Sequence, residues 1–334
     1  MKFYLAPLEG LTTYVYRNVY HHFFHPMDKY FTPFIVPHPN RGFKPKELKE
    51  ILPQHNQGLC VVPQILTNNA EDFIRTAQEF REYGYEEINL NLGCPSGTVT
   101  AKKKGSGFLG YPDELERFLY EIFERTESKI SIKTRIGVEH PGEFERLLNI
   151  YNKFEMEELI IHPRVRADFY KNKPNMEVFG QAVKESKNRL CYNGDLFIKS
   201  HFEAFEKEYP QVERVMLGRG VMVNPGLLNL ICEGKSLDKE VLRAFHDEFY
   251  RKNQEVLSGD RAVLFKMKEL WFFMIHLFEG AEKAAKKIKK AEKRHVYEEC
   301  IERLFSDYPL NQKLVTKTSH TPNGTCSLKI QYFS

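Results

Sequence analysis

Along the first two thirds of the chain, short apolar runs with alternating polar positions are each followed by a stretch of helical period. Eight of these runs read as strands: Lys2–Ala6, Tyr30–Val36, Cys60–Leu66, Glu87–Gly93, Ile130–Gly137, Leu159–Arg164, Leu190–Leu196 and Arg214–Gly220. The intervening segments carry their own boundary signals. NNAEDFIRTAQEFREYG opens on an Asn cap and stops at Gly84, and PDELERFLYEIFERT opens on Pro112, where a helix tolerates the missing N–H. A βα unit every 25–40 residues or so, eight times within roughly 230 residues, predicts an α/β fold of the (β/α)8 TIM-barrel type rather than an open doubly wound sheet.

After residue 236 the strand signal stops. LDKEVLRAFHDEFYRKNQEVL, RAVLFKMKELWFFMIHLF and EKAAKKIKKAEKRHVYEECIERLF are long helical patterns, so a small C-terminal helical bundle is expected after the barrel. The expected division is a barrel over 1–235, helices over 236–310 and a polar tail over 311–334. That tail carries a Pro-Asn-Gly turn followed by TCSLKIQYF, which reads either as a hairpin strand or as a loose end.

Composition narrows the class. The 334 residues are 42% hydrophobic and 28% charged, enough for a substantial core, and no apolar run approaches the ~20 residues of a membrane span. Pro7 and Glu9 interrupt the N-terminal apolar stretch too early for a secretory signal, so a cytosolic location is expected. The six cysteines are dispersed with no C-x-x-C pair, which argues for free thiols and against a zinc site. Net charge is only +4, so any affinity for nucleic acid rests on uneven distribution. EKAAKKIKKAEKR supplies it: at helical spacing Lys283, Lys286, Lys287, Lys290 and Arg294 can share one face.

Strand parity then sorts the polar residues. Asn89 and Asn91 oppose Ile88, Leu90 and Leu92; Ser131, Lys133 and Arg135 oppose Ile130, Ile132 and Ile136; His162 and Arg164 oppose Leu159 and Ile161. Asn193 and Asp195 share a parity on the seventh run, and the third offers Gln64. A single Asn, Gln or His at such a place is ordinarily a local cap or a hydrogen-bonded core residue. Five strands that each place one near the C-terminal end form a ring at the barrel face where active sites occur, and buried polar groups need partners. An unpaired lysine there is the costliest member. YNGDLF and MLGRGVMVNP follow the seventh and eighth strands, the usual phosphate position of such barrels; Gly194, Gly218 and Gly220 would let amides approach an anion, beside Arg219.

One thiol stands apart. In NLNLGCPSG, Cys94 lies between Gly93 and Pro95 where the fourth strand ends. Together APLEGLT, NLGCPSG, GSGFL, IKTRIG, IHPRVR, NGD and LGRG occur in an order and spacing that resembles the tRNA-dihydrouridine synthases over roughly residues 3–305. The resemblance implies an FMN-bearing barrel that reduces uridine in tRNA to 5,6-dihydrouridine with NADPH as reductant. Ala6, Pro7 and Leu8 would line the flavin ring, with Gln64, Lys133 and His162 contacting it. Asn193, Gly194, Asp195, Gly218 and Arg219 would cradle its phosphate, and Asn91, Arg135, Arg164 and Arg166 would face the uridine and its flanking phosphates. The chain departs from the family pattern at Thr13, at Thr32-Pro33 and at Pro163.

On this view Cys94 is the catalytic acid. A thiol with an ordinary pKa near 8.5 keeps its proton at neutral pH, and reduction of a C=C bond needs a proton beside the hydride. Lys283, Lys286, Lys287 and Lys290 would grip tRNA phosphates, the uridine being extruded into the barrel mouth. No metal and no membrane are expected. Two other readings stay open: a flavin barrel acting on free pyrimidines or dihydroorotate, and an RNA-binding protein without catalysis.

Overall fold

The computed structural model describes residues 1–38 and 42–316. Its strands are β1 (Lys2–Leu5), β2 (Lys29–Phe31), β3 (Val61–Val62), β4 (Gln64–Ile65), β5 (Glu87–Leu92), β6 (Lys129–Arg135), β7 (Leu159–His162), β8 (Leu190–Tyr192) and β9 (Arg214–Leu217). Every ladder is parallel, and neighbours run β3-β2-β1-β9-β8-β7-β6-β5-β4. Since β3 and β4 are separated only by Pro63, this order closes on itself: a parallel α/β barrel of eight staves, one of them broken.

Pro63 explains the break. It has no N–H to give, so the ladder changes partner there, β3 pairing with β2 and β4 with β5. The Pro63 carbonyl still accepts from the Asn89 amide at 2.9 Å, while the Gln64 amide turns to the Thr32 hydroxyl at 3.0 Å. The eight expected strands are present, with shorter ends. Gly218–Gly220, read as strand, instead lead into the helix Arg219–Val223. Helix starts follow their signals: Asn69 caps Ala70–Glu82 by accepting from the Asp72 amide, and Pro112 opens Pro112–Arg125.

Parity divides the barrel into two apolar regions. Outward residues such as Leu5, Ile88, Ile132, Ile161 and Leu217 join the large core under the surrounding helices. Alternate positions give a separate small cluster inside: Tyr4, Ala6, Phe31, Val62, Ile160, Cys191 and Met216. Below it, at the strand N-termini, Lys29 pairs with Glu87 (2.6 Å) and with Glu158 (2.9 Å), Arg214 lies 3.5 Å from Glu158, and the Tyr4 hydroxyl donates to Glu158 (2.8 Å). Two cations and two carboxylates cancel in this floor, so each buried charge has a counterion.

The C-terminal helices Lys239–Val256, Asp260–Met274, Glu282–Lys290 and Arg294–Asp307 share the large core with the barrel. Phe245 and Phe249 pack edge-on against Tyr16 of the first barrel helix, Tyr14–Phe23. Between these helices Trp271 Nε1 donates to the Tyr297 hydroxyl (2.9 Å), which lies 2.7 Å from His246 Nε2; His246 Nδ1 lies 2.7 Å from Asp247. The polar end begins as an ordered element. Gln312–Val315 is helical, Leu314 and Val315 are buried, and the Asn224 side chain donates to the Leu314 carbonyl at 2.7 Å. TCSLKIQYF lies outside the described residues. No helix among the described residues is long and apolar enough to cross a membrane.

Candidate active site

At the C-terminal ends of the strands the inward polar residues form one connected wall. Ser131 on β6 accepts from Asn89 (2.9 Å), Asn89 accepts from Gln64 (2.7 Å), and Gln64 accepts from Asn91 (2.7 Å). Register makes this possible, because Gln64 pairs with Asn89 and Asn89 with Ser131. The last member turns outward: Asn91 Oδ1 accepts the amides of Gly93 (3.0 Å) and Cys94 (2.9 Å). Each amide therefore has its orientation set by the next, and the chain ends on the thiol residue.

The Cys94 turn is fixed from its other side too. Its carbonyl accepts from the Ser106 amide (3.1 Å) and hydroxyl (2.8 Å). Gly105 approaches so closely, at φ +56°, that a Cβ there would lie 2.8 Å from the Cys94 carbonyl oxygen. Burial raises the Cys94 pKa above its ordinary value, against the opposing pull of the Ser96 amide and Arg135. The thiol thus holds its proton at neutral pH.

Arg135, at the end of β6, is buried, lies over the Tyr170 ring and gives three donors to backbone. Nε donates to the Gly93 carbonyl (3.0 Å), Nη1 to that of Val165 (2.9 Å) and Nη2 to that of Phe169 (2.8 Å). One planar guanidinium so joins the Cys94 turn to the loop after β7. Sequence parity placed Arg135 at the mouth but gave no sign of these carbonyl partners.

Lys133 and His162 complete the inner wall. Lys133 is half-buried, and among the described residues its ammonium has no hydrogen-bond or ion-pair partner. Burial, and then the charge of Arg135, lowers its pKa to about 8. His162 is held well below 6.5, first by burial and then by Arg135, Lys133, Arg164 and Arg219. Its Nε2 lies 2.9 Å from Arg164 Nη1, which can only donate, so Nε2 accepts and the proton sits on Nδ1.

Opposite, Asp195 joins two arginines. Arg164 grips it with both terminal nitrogens and gives Nε to the Asn172 carbonyl (2.6 Å), and Arg219 pairs with the same carboxylate. The Asn193 side chain donates to the Met216 carbonyl (2.8 Å), joining β8 to β9. At Gly194 a Cβ would lie 1.9 Å from the Tyr192 hydroxyl oxygen, so that turn admits no side chain. Gly218 lies against Ala6 and Leu8. The turn after β1 is fixed by Thr12, whose hydroxyl accepts the Leu8 amide at 2.8 Å; Pro7 lies within that turn.

The sequence-expected residues of the barrel thus converge on one mouth. Arg166 stands farther out, paired with Glu139. The lysine face lies on another element: Lys283, Lys286, Lys287 and Lys290 are all exposed on Glu282–Lys290, opposite buried Ala284 and Ile288, while Arg294 is paired with Asp260 at 2.6 Å. Sequence reasoning passed over Lys266, whose ammonium reaches the Gly10 carbonyl and joins the C-terminal helices to the mouth. Its i,i+3 relation to Glu269 was the available signal, and it reads as a surface pair.

Comparison with known proteins gives a consistent result. The family model described as Dihydrouridine synthase (Dus) matches residues 4–309. The chain is 30% identical over 237 residues to the probable tRNA-dihydrouridine synthase of Staphylococcus aureus (strain COL), covering 67% of this chain and 69% of that protein. It is 25% identical over 232 residues to tRNA-dihydrouridine synthase B of Pasteurella multocida (strain Pm70), covering 69% and 68%. Among solved structures, histamine dehydrogenase from Rhizobium sp. 4-9 superposes with a TM-score of 0.54 at 11% identity, over 84% of this chain and 51% of that one, a likeness of fold.

Proposed function

The chain belongs to the dihydrouridine synthase family, an oxidoreductase family, and on that premise we propose that it reduces the C5=C6 bond of uridine in tRNA, using FMN and NADPH, with Cys94 as proton donor. The observation that carries the reading is a thiol fixed at the mouth beside an ammonium that has no ion-pair partner among the described residues.

FMN fits the residues present. Among the described residues Lys133 lacks a counterion, in a wall otherwise satisfied by its own hydrogen bonds, which suits a ring edge that gains negative charge on reduction. The Nδ1–H of His162 is a second donor for that edge. Gln64 and the Ala6–Leu8 turn would hold the ring, and Asn193, the backbone at Gly194 and Gly218, and Arg219 would hold the phosphate, with Asp195 keeping Arg219 in place. When bound, the reduced flavin supplies the hydride.

The chain's own residues supply the rest. Cys94 gives the Sγ proton to the neighbouring carbon of the uracil, and its raised pKa keeps that proton available. Asn91 holds the turn that aims the thiol, with Arg135 holding the same turn from behind. Arg164 keeps His162 in the Nδ1–H tautomer and fixes Asp195. Arg166 and the face of Lys283, Lys286, Lys287 and Lys290 would meet tRNA phosphates outside the mouth, a feature that reduction of a free pyrimidine does not require.

The test is reconstitution. Purified protein with FMN and NADPH should form dihydrouridine in unmodified tRNA and leave free uracil and orotate untouched. NADPH oxidation driven by a free pyrimidine, with no product in tRNA, would overturn the reading.

A further inference from the structure

The loop after β7 carries an aromatic side chain that the chemistry above leaves without a task. Phe169 is 45% exposed, and it adopts φ 49° and ψ −99°. Lys103 and Phe169 are the non-glycine residues with positive φ among the described residues. A bulky side chain avoids this region, so the surroundings must hold it there. They do: the Phe169 amide donates to the Arg166 carbonyl (3.1 Å) and its carbonyl accepts from Arg135 Nη2 (2.8 Å). The backbone is pinned and the ring is turned out, away from the large apolar core, which does not include it.

Place and charge indicate what the ring meets. The guanidinium that holds the Phe169 carbonyl also holds that of Gly93, the residue before Cys94, so the loop that carries the ring and the turn that carries the thiol are tied to one group. The loop around it is basic. Lys171 and Lys173 are exposed with no carboxylate partner among the described residues, and Arg166, paired with Glu139, lies three positions before the ring. Asp168 is half-buried, and its carboxylate is taken up within the loop, accepting the Val165 amide at 3.0 Å and the Asn172 side chain. A bare aromatic ring among such cations is suited to a polyanion with flat faces.

Taking tRNA as the substrate, as proposed above, we propose that Phe169 is a stacking residue for the base next to the extruded uridine. A uridine leaving its stack uncovers the face of its neighbour, and that loss opposes extrusion. The ring of Phe169, preset by Arg135, covers the face and so favours the open form of a folded tRNA. Phe169 therefore acts on binding of the folded substrate and leaves the chemistry of Cys94 alone.

Steady-state kinetics of Phe169→Ala, Phe169→Leu and Phe169→Trp holoenzymes on folded, unmodified tRNA test this. Loss of one base–aromatic stack should raise KM about tenfold in the Ala and Leu variants, with kcat within about twofold of wild type and Trp restoring KM. Flavin content and flavin reduction by NADPH should be unchanged in all three. An unchanged KM in Phe169→Ala, full restoration by Leu, or a parallel loss of flavin reduction would each overturn the stacking role. Wild-type protein that makes no dihydrouridine in any tRNA would instead overturn the proposed function, and this inference with it.

Discussion

Arg135 Nε and the Gly93 carbonyl lie 3.0 Å apart, so the last residue of β6 holds the turn that presents Cys94. Lysine keeps the charge but cannot bridge three carbonyls with one planar group. Arg135→Lys should therefore slow dihydrouridine formation on the order of 10²-fold in single turnover, because small misplacements of a reacting group are costly. Flavin content should be retained. A rate within threefold of wild type would show that the turn is held without this clamp.

Cys94→Ala should leave flavin binding and flavin reduction by NADPH intact and abolish product on unmodified tRNA. Product quantified by mass spectrometry at the wild-type rate would remove the thiol from the mechanism.

Lys133 makes a prediction of opposite sign for stability and for function. Its folded pKa is lowered from 10.5 to about 8, so between these values the unfolded chain holds a proton that the folded chain has released. Stability without cofactor should therefore rise with pH across that window, and below about 8 the folded state carries the whole penalty, at most roughly 3 kcal/mol. Lys133→Met should raise the melting temperature of the cofactor-free protein at pH 7, flatten the pH dependence above 8, and weaken FMN binding. A lower melting temperature would mean that the ammonium has a stabilising partner.

Tyr297 accepts from Trp271 and faces His246 Nε2, so its hydroxyl serves two buried groups at once. Tyr297→Phe strands both. The expected loss is roughly 1–3 kcal/mol in chemical denaturation, with flavin content unchanged. A loss below about 0.5 kcal/mol would show that the two groups find other partners.

Changing Lys283, Lys286 and Lys290 together to Glu should weaken tRNA binding and flatten its dependence on salt. Every phosphate that the face no longer neutralises takes roughly one unit off the slope of log K against log salt. Equal binding by filter assay at physiological salt would remove this face from the RNA path.

Sequence periodicity carries the barrel because strand parity and βα spacing are local properties. It placed Gln64, Asn91, Lys133, His162 and Asn193 at one mouth for the same reason. Partner choice is a different matter. Parity puts Arg135 and Arg164 inward but does not distinguish a cation awaiting a phosphate from one already spent on carbonyls and on Asp195. Glu158, just before β7, drew no reading from the sequence, yet it is fully buried against Lys29 and Arg214. Such pairs come from strands far apart in the chain, and no single stretch records them. The Phe169 backbone is likewise set by a residue thirty-four positions earlier.

The floor of paired charges under the barrel has a kinetic consequence. With Lys29, Arg214, Glu87 and Glu158 closing the lower end and a plug of seven side chains above them, the vessel formed by the described residues has one doorway. On the proposed function, reductant and tRNA would share that doorway, and each traveller would wait for the other to leave.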